Sequence, residues 1–157
     1  TDALADLPHL RRLRVHSRLP VVLPSRIDNS LLAWLTGSRL QPVMVIHANH
    51  AQELDNAVAE AMSRLTERGV RLYNQSVLLR GVNDHVDALA ALSERLFDCG
   101  VHPYFLHLLD RVQGAAHFDV SEDEAQSLMQ ALATRLPGYL LPRLVREVAG
   151  APAKVPV

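Results

Sequence analysis

The sequence predicts an α/β domain with a parallel sheet, and three observations lead to this fold class. Short segments rich in apolar and β-branched residues alternate with amphipathic segments along most of the chain. Polar side chains follow each predicted strand. The phosphate-binding patterns GxGxxG and GxxxxGKS/T are absent from the sequence. Because barrels place their chemistry at the carboxyl ends of strands, a β/α barrel or part-barrel is favoured, with a doubly wound sheet as the alternative.

The predicted strands are short and are bounded by turn-forming residues. The first two, "RLRVH" at Arg12–His16 and "PVMVIH" at 42–47, are interpreted as buried strands. Three further segments follow in the same order: "RLYNQSVLL" at 71–79, "HPYFLHLL" at 102–109, and part of "GYLLPRLVREV" at 138–148. Strands that alternate with helices in this way pair in parallel through right-handed crossovers.

The predicted helices rest on apolar residues at three- and four-residue spacing. One helix covers 52–68, and the next follows an N-cap at Asp84. The last begins with "SEDE" at 121–124, a capping box in which the first and last side chains satisfy exposed backbone amides. A weaker helix over Asn29–Thr36 carries Trp34, which is interpreted as a packing residue.

The composition excludes several classes of protein. The chain has 157 residues, 48% of them hydrophobic, and a net charge of -1, so it is long enough for one domain and offers no basic face for nucleic acid. No apolar run reaches the length of a membrane helix, and the start lacks the pattern of a signal peptide, so a cytoplasmic protein is expected. The single cysteine, Cys99, excludes an internal disulfide and is expected to be a small buried residue.

Polar residues occur at equivalent places after the predicted strands, so they would converge on one mouth of a barrel. A histidine in such a place is more often a hydrogen-bonded structural residue than a ligand, but recurrence in successive units favours a shared site. The "HANH" segment at 47–50 lacks a third ligand of matching type, so no metal site is predicted. Asp110 is either paired with Arg111 or placed to meet a cation. The strand-end residues are His16, Ser17, Arg18, His47, Asn49, His50, Asn74, Gln75, His107 and Asp110.

Lys154 is the only lysine among sixteen basic residues. An ammonium can lose its proton and condense with an aldehyde, whereas a guanidinium cannot. By position alone, the simpler interpretation is that one lysine remains by chance in a flexible tail. The alternative is that Lys154 anchors a cofactor.

Four segments carry a family resemblance over nearly the whole chain: "YNQSVLLRGVND" at 73–84, "LDRVQGAAHF" at 109–118, "PGYLLPRLVRE" at 137–147 and "AGAPAKVPV" at 149–157. Together they resemble the lysine 2,3-aminomutase family of radical S-adenosylmethionine enzymes. Within that family, "QGAAHF" and the compact ending are most similar to members that supply β-lysine for attachment to elongation factor P.

The resemblance implies the C-terminal part of a radical-SAM (β/α)6 partial TIM barrel. Residues 1–137 would form its later β/α units, and 138–157 would form a segment with the pyridoxal phosphate lysine. The implied reaction converts L-α-lysine to (R)-β-lysine by radical 1,2-amino migration, for β-lysylation of elongation factor P by its lysyl ligase.

The resemblance also implies site residues. Pyridoxal phosphate would be held by Lys154, the catalytic residue, and the small residues before it would let the backbone approach the phosphate. The distant ammonium of the substrate would meet Asp110 and Glu147, the second of which is Asp in catabolic members. His107 stands where those members have Tyr, and it is given no role. The implied S-adenosylmethionine contacts are His47 and Gln75, with Ser17, Asn49 and Asn74 as weaker neighbours.

The largest departure from the family is the lack of a CxxxCxxC motif, which holds the family's 4Fe-4S cluster. With one cysteine and a start at Thr1 without methionine, the sequence is expected to be an excised segment whose cluster-binding half lies elsewhere. Alone it should be inactive, and its open sheet edge should cause aggregation. The alternatives are a non-catalytic barrel-derived binding or structural domain and a transaminase-type pyridoxal enzyme, for which no Asp motif is recognisable. The sequence does not distinguish a homo-oligomer from a monomer.

Overall fold

The computed structural model describes residues 2–110 and 114–157, and these form one six-stranded sheet. The strands follow chain order across it: β1 (Arg12–His16), β2 (Gln41–Ile46), β3 (Arg71–Val77), β4 (His102–His107), β5 (Arg143–Arg146) and β6 (Val155–Pro156). The first five strands pair in parallel, and β6 pairs with β5 in antiparallel orientation.

Helices lie in every connection between parallel neighbours. The described helices are α1 (Asp2–Ala5), α2 (Leu19–Val22), α3 (Asn29–Thr36), α4 (Asn56–Glu67), α5 (Val86–Asp98) and α6 (Glu122–Ala133). A parallel sheet that keeps chain order from strand to strand is typical of β/α barrels, because doubly wound sheets reverse the order at a switch point. The preference for a part-barrel is therefore confirmed.

The core lies between the helices and one face of the sheet. Ile46 of β2 belongs to a buried cluster with residues of α3, α4 and α5. Leu106 of β4 and Leu144 of β5 belong to a second cluster with residues of α5 and α6. Because side chains alternate along a strand, Phe105 and His107 lie on the opposite face of the sheet.

Two helices begin later than the apolar spacing predicted. A 3-10 turn at Ala51–Glu53 precedes α4, which begins after Asp55 because that carboxylate accepts a hydrogen bond from a first-turn amide. The N-cap of α5 is His85 and not Asp84. His85 Nδ1 accepts a hydrogen bond of 3.2 Å from the amide of Ala88, so an imidazole takes the place of the predicted carboxylate.

Two interpretations of burial are wrong. Strand β1 is the first strand in the sheet order and is not buried, since Arg14 and His16 are exposed. Trp34 is 46% exposed and is therefore not a core residue. Helix α3 instead buries Leu32 and Leu35, which lie on its face toward the sheet.

Other local predictions are confirmed. Ser121 Oγ accepts a hydrogen bond of 3.3 Å from the amide of Glu124, whose carboxylate accepts one of 2.9 Å in return, which is the predicted capping box. Cys99 is buried just after α5. Within the described ranges, no helix has the length and apolar character needed to cross a membrane.

Candidate cofactor site

The carboxyl ends of the parallel strands form a mouth at one edge of the sheet. The register places Val77 beside His107 and His107 beside Val145, so the ends of β3, β4 and β5 are level. A cavity of about 400 Å³ opens there. Its wall includes Arg18, His47, Asn49, Gln75, Asp110 and Glu147. Most of the residues implied by the family resemblance therefore lie on one cavity.

Lys154 and Glu147 face each other across the β5–β6 hairpin. Arg146 is paired with Val155 in antiparallel register, so the next pair outward is Glu147 opposite Lys154. The connection turns at Gly150, whose φ of +81° lies in the left-handed region that favours glycine. Lys154 Nζ donates a hydrogen bond to Glu147 Oε1 and forms an ion pair with it. The terminal segment is thus paired with the sheet and is not a free tail.

His107 is the second polar partner of Lys154. Lys154 Nζ lies 3.3 Å from His107 Nε2 and 5.6 Å from the centre of the Phe105 ring, which is within the range of a cation–π contact. The Phe105 ring meets the imidazole edge-on, with ring centres 5.8 Å apart. His107 is only 9% exposed. Neighbours on both sides therefore fix the orientation of its ring.

The charges at this hairpin are set by contact and by burial. The hydrogen bond from Lys154 lowers the pKa of Glu147, so Glu147 is a carboxylate at neutral pH. Burial lowers the pKa of His107, and the charge of Lys154 lowers it further, against the opposing effects of Glu147 and Asp110. His107 is therefore neutral at neutral pH and can accept a hydrogen bond or a proton.

His47 follows β2, lines the cavity and has a buried ring nitrogen, Nε2, without a hydrogen-bond partner among the described residues. Burial lowers the pKa of His47, and the charges of Arg18 and Lys154 lower it further. A buried polar nitrogen without a partner is unfavourable, so this atom is suited to contact with a polar group of a bound molecule.

Two of the weaker S-adenosylmethionine candidates are engaged in local structure. Asn74 is 1% exposed, and its amide accepts a hydrogen bond of 2.8 Å from the Ala48 amide and donates one of 3.0 Å to the Ala48 carbonyl. Ser17 Oγ accepts a hydrogen bond of 3.0 Å from the amide of Leu19, at the start of α2. Neither residue lines the cavity, and their contacts shape the loops that do.

The loop after β2 is fixed to the loop after β3 by two asparagines. Asn49 Oδ1 accepts a hydrogen bond of 2.9 Å from the amide of Val77. Asn83 is fully buried, and its Nδ2 donates hydrogen bonds to the carbonyls of Asn49 at 2.8 Å and Val77 at 2.9 Å. Its Oδ1 accepts one of 2.7 Å from the amide of Leu79. Asn83 lies within the segment 73–84 that carries the family resemblance, but nothing in the local sequence indicates its burial.

Arg18 reaches the cavity wall and pairs with Glu53 at 2.7 Å. Glu53 also accepts a hydrogen bond of 2.6 Å from the amide of Asn49, which links this charge pair to the loop after β2. The sequence placed Arg18 after a strand, but nothing in the spacing indicated that residue 53 would be its partner.

Asp110 lies on the wall of the cavity and is exposed. Its proposed structural partner, Arg111, falls outside the described residues, so the choice between pairing and cation binding stays a prediction. The second histidine of "HANH" has a structural role, since His50 Nδ1 accepts a hydrogen bond of 3.2 Å from the amide of Gln52. In the part of the chain that the structure describes, no three His, Cys, Asp or Glu side chains form a group that could hold a metal ion.

The residues fit two of the three implied cofactors. Lys154 presents an amine beside a neutral imidazole and a carboxylate, which suits an aldehyde cofactor such as pyridoxal phosphate. His47 and Gln75 line the cavity, and polar side chains there suit a polar ligand such as S-adenosylmethionine. An iron–sulfur cluster does not fit, because Cys99 is the only cysteine in the chain and is buried in the core beside the helices.

Comparison with solved structures shows which class of fold this is. A radical SAM methyltransferase from Sphaerobacter thermophilus superposes with a TM-score of 0.60 over 85% of this chain and 40% of its own, at 18% identity. A domain of pyruvate-formate lyase-activating enzyme from Bacteroides vulgatus superposes with a TM-score of 0.55 over 87% of this chain and 81% of its own, at 16% identity. The fold is that of the radical SAM enzymes.

Sequence comparison then identifies the family. No protein-family model matches the chain. Proteins named L-lysine 2,3-aminomutase are 54% identical over 98% of the chain in Escherichia coli, 52% over 96% in Haemophilus influenzae and 36% over 98% in Clostridium subterminale. The chain belongs to the lysine 2,3-aminomutase family. It spans 45% of the length of the first two relatives and 37% of the third.

Proposed function

We propose that this chain is part of a lysine 2,3-aminomutase that converts L-α-lysine to (R)-β-lysine with pyridoxal phosphate, S-adenosylmethionine and a 4Fe-4S cluster. The observation that carries the proposal is the placement of the only lysine, whose Nζ lies 3.3 Å from His107 Nε2 and is paired with Glu147 at the cavity. The relatives that carry this name support it.

Lys154 and residues of the cavity wall have proposed roles in binding. Lys154 would hold pyridoxal phosphate, because it is the only lysine among these 157 residues and its amine can condense with an aldehyde. Asp110 and Glu147 would bind the distant ammonium of the substrate, since both are acids on the cavity wall. His47 and Gln75 would bind S-adenosylmethionine, with Asn49 holding the loop between them in place.

The bound groups supply the reactive chemistry, and the protein supplies position. When bound, pyridoxal phosphate provides an aldehyde carbon and a conjugated ring, and S-adenosylmethionine with a reduced cluster provides the radical. The cavity residues orient these groups and hold the substrate ammonium at a fixed distance from Lys154. Because this chain has one cysteine, the thiolates for the cluster must come from a part of the protein outside it.

The experiment that tests the proposal is borohydride trapping of pyridoxal phosphate on the cofactor-free full-length protein. Proteolysis at arginine cuts after Arg146, so modification of Lys154 is read by mass spectrometry on the peptide that begins at Glu147. We expect saturable labelling there and loss of aminomutase activity in Lys154→Arg, which keeps the charge but cannot condense with an aldehyde.

Two results would oppose the proposal. Full activity in Lys154→Arg would show that another group holds the cofactor. A full-length protein without a CxxxCxxC motif would instead support the non-catalytic binding domain. The N-terminal amine serves as an internal control, because it reacts with aldehydes without the surroundings of Lys154 and should show no saturation.

A finer part of the proposal concerns the use of the product. We propose that the β-lysine made by the full-length protein is attached to elongation factor P by its lysyl ligase. Deletion of the gene should leave elongation factor P without the β-lysyl group in intact-mass measurements, and added β-lysine should restore it. A β-lysylated factor in the deletion strain, without added β-lysine, would exclude this use.

A further inference from the structure

Two polar groups contact Lys154 Nζ among the described residues, and they differ as bases. Glu147 forms an ion pair with the amine, and the resulting low pKa of its carboxyl makes it a weak proton acceptor. His107 offers Nε2 at 3.3 Å from Nζ. Its imidazole is 9% exposed and is oriented by the Phe105 ring, so the nitrogen stays directed at the amine.

We infer that His107 is a catalytic residue that accepts a proton from Lys154 Nζ when this amine condenses with the cofactor aldehyde. The inference deepens the proposed function and rests on it. It assigns a chemical role to a residue that the family resemblance left without one.

The step conserves protons and electrons. The ammonium of Lys154 gives one proton to His107 Nε2 and keeps its electron pair, which forms the carbon–nitrogen bond to the aldehyde carbon. The carbonyl oxygen leaves as water, with one proton returned by His107 and one lost by the nitrogen. His107 ends neutral, and the positive charge stays on the nitrogen. No oxidant or reductant takes part.

A proton acceptor is needed because lysine amines are mostly protonated at neutral pH. With an ordinary pKa of about 10.4, fewer than about one in a thousand lysine side chains in water is neutral at pH 7. A neutral base in contact with Nζ provides an acceptor for the proton that the nitrogen loses as it bonds to the aldehyde carbon.

The surroundings of His107 keep it in the form that this role requires. Lys154 and Glu147 face it from the β5–β6 hairpin, Asp110 from the segment after β4, and His47 from the segment after β2. Burial and the charge of Lys154 outweigh the two carboxylates and hold the pKa of His107 below its usual 6.5. The imidazole is therefore free to accept a proton at pH 7.

The test measures the reactivity of Lys154 as a function of pH. Cofactor-free full-length protein is treated with formaldehyde and cyanoborohydride between pH 7 and 9, and methylation of Lys154 is followed on the peptide that begins at Glu147. Formaldehyde needs no cofactor site, so failure of this inference and failure of the proposed function are distinguishable. The variants are His107→Gln and, as the matched control, His102→Gln, which removes an exposed histidine from the opposite end of β4.

We expect a rate in the wild type that is nearly independent of pH across this range, because the proton passes to His107, which is mainly neutral here, and not to a solvent base. In His107→Gln the rate should be about tenfold or more lower at pH 7 and should rise about tenfold per pH unit, as the amine must lose its proton to solvent. His102→Gln should behave as the wild type. The same slope in the wild type and in His107→Gln would overturn the inference, whatever the absolute rates.

A second variant guards against effects on folding. His107→Ala leaves a space beside Lys154, and added imidazole should restore the rate at pH 7 in a saturable way. If His107 had only a structural role, the methylation rate in His107→Ala would be lower by the same factor at every pH, and added imidazole would not restore it. Labelling by pyridoxal phosphate could prove not to be saturable while the rate of methylation by formaldehyde is independent of pH. That result would support proton transfer to His107 and would contradict pyridoxal phosphate as the cofactor.

Discussion

Lys154 Nζ and His107 Nε2 lie 3.3 Å apart, although 47 positions separate the two residues in the chain. Strand β4 ends at His107, and the β5–β6 hairpin places Lys154 beside it. The charge of the amine and the protonation of the imidazole are therefore coupled through a contact that depends on the pairing of β4 with β5.

Lys154→Met is expected to raise the pKa of His107, because it removes the nearest positive charge and frees Glu147 to favour the imidazolium. Histidine titration by NMR measures the change. Arg14→Met is the matched control, since the charge of Arg14 lowers the pKa of His16 and does not act on His107. An unchanged His107 titration in Lys154→Met would contradict the contact.

The lowered pKa of His107 also determines how the free energy of unfolding changes with pH. Because the folded state lowers the pKa of His107, its neutral form is favoured by folding. The stabilisation from neutral His107 is fully present above pH 6.5. It is lost as the pH falls through the lower pKa that His107 has in the folded state. Lys154→Met should therefore lose less stability than the wild type when the pH is lowered from 7 through this window.

Glu147→Gln is expected to raise KM for lysine about ten- to a hundredfold in the full-length protein, since a hydrogen bond to a charged group is lost. The melting temperature should change little, because Glu147 is exposed and its pair with Lys154 is at the surface. Asp87→Asn, which removes an exposed carboxylate paired with Arg135, is the control and should leave KM unchanged. An unaltered KM in Glu147→Gln would exclude the substrate contact.

Asn83→Ala should lower the free energy of unfolding by about 2–3 kcal/mol, because it leaves buried backbone groups without partners and removes packed atoms. Urea denaturation measures the change. Asn29→Ala, at an exposed position of α3, should stay within about 0.5 kcal/mol of the wild type. Equal stability of the two variants would show that Asn83 does not fix the loops.

The capping box of α6 predicts a pH dependence. Hydrogen bonds from Ser121 and Arg80 lower the pKa of Glu124 from 4.5 to about 2. The Glu124 carboxylate thus stabilises the folded protein above pH 4.5, and this stabilisation is lost as the pH falls toward 2. The difference in melting temperature between the wild type and Glu124→Gln should shrink over this interval. A constant difference would mean that the carboxylate is not responsible for the cap.

The edge position of β1 predicts self-association of the isolated chain. Its outer side carries unpaired backbone groups, which favour pairing with a second copy, although Arg14 reduces the tendency. Light scattering of residues 1–157 should show species that grow with concentration, and the full-length protein should not. A monodisperse monomer with one cooperative melting transition would contradict this expectation.

Sequence alone determined the features that depend on neighbours in the chain. Apolar spacing located the helices and strands within a few residues, and the pairing of Ser121 with Glu124 followed from their separation. The alternation of strands and helices indicated His47, which directly follows β2, and Gln75, which lies within β3 near its carboxyl end. Family motifs indicated Lys154 before any contact was known.

Tertiary structure alone decided which of these polar residues meet a partner. Asn49, Asn74 and Asn83 all bond backbone groups of other segments, but of the three only Asn49 also lines the cavity. The N-cap moved from Asp84 to His85 because the cap depends on the backbone angles at the helix start. Contact between His107 and Lys154 requires the β4–β5 and β5–β6 pairings together, and hydrogen bonds between distant segments leave no local pattern in a sequence.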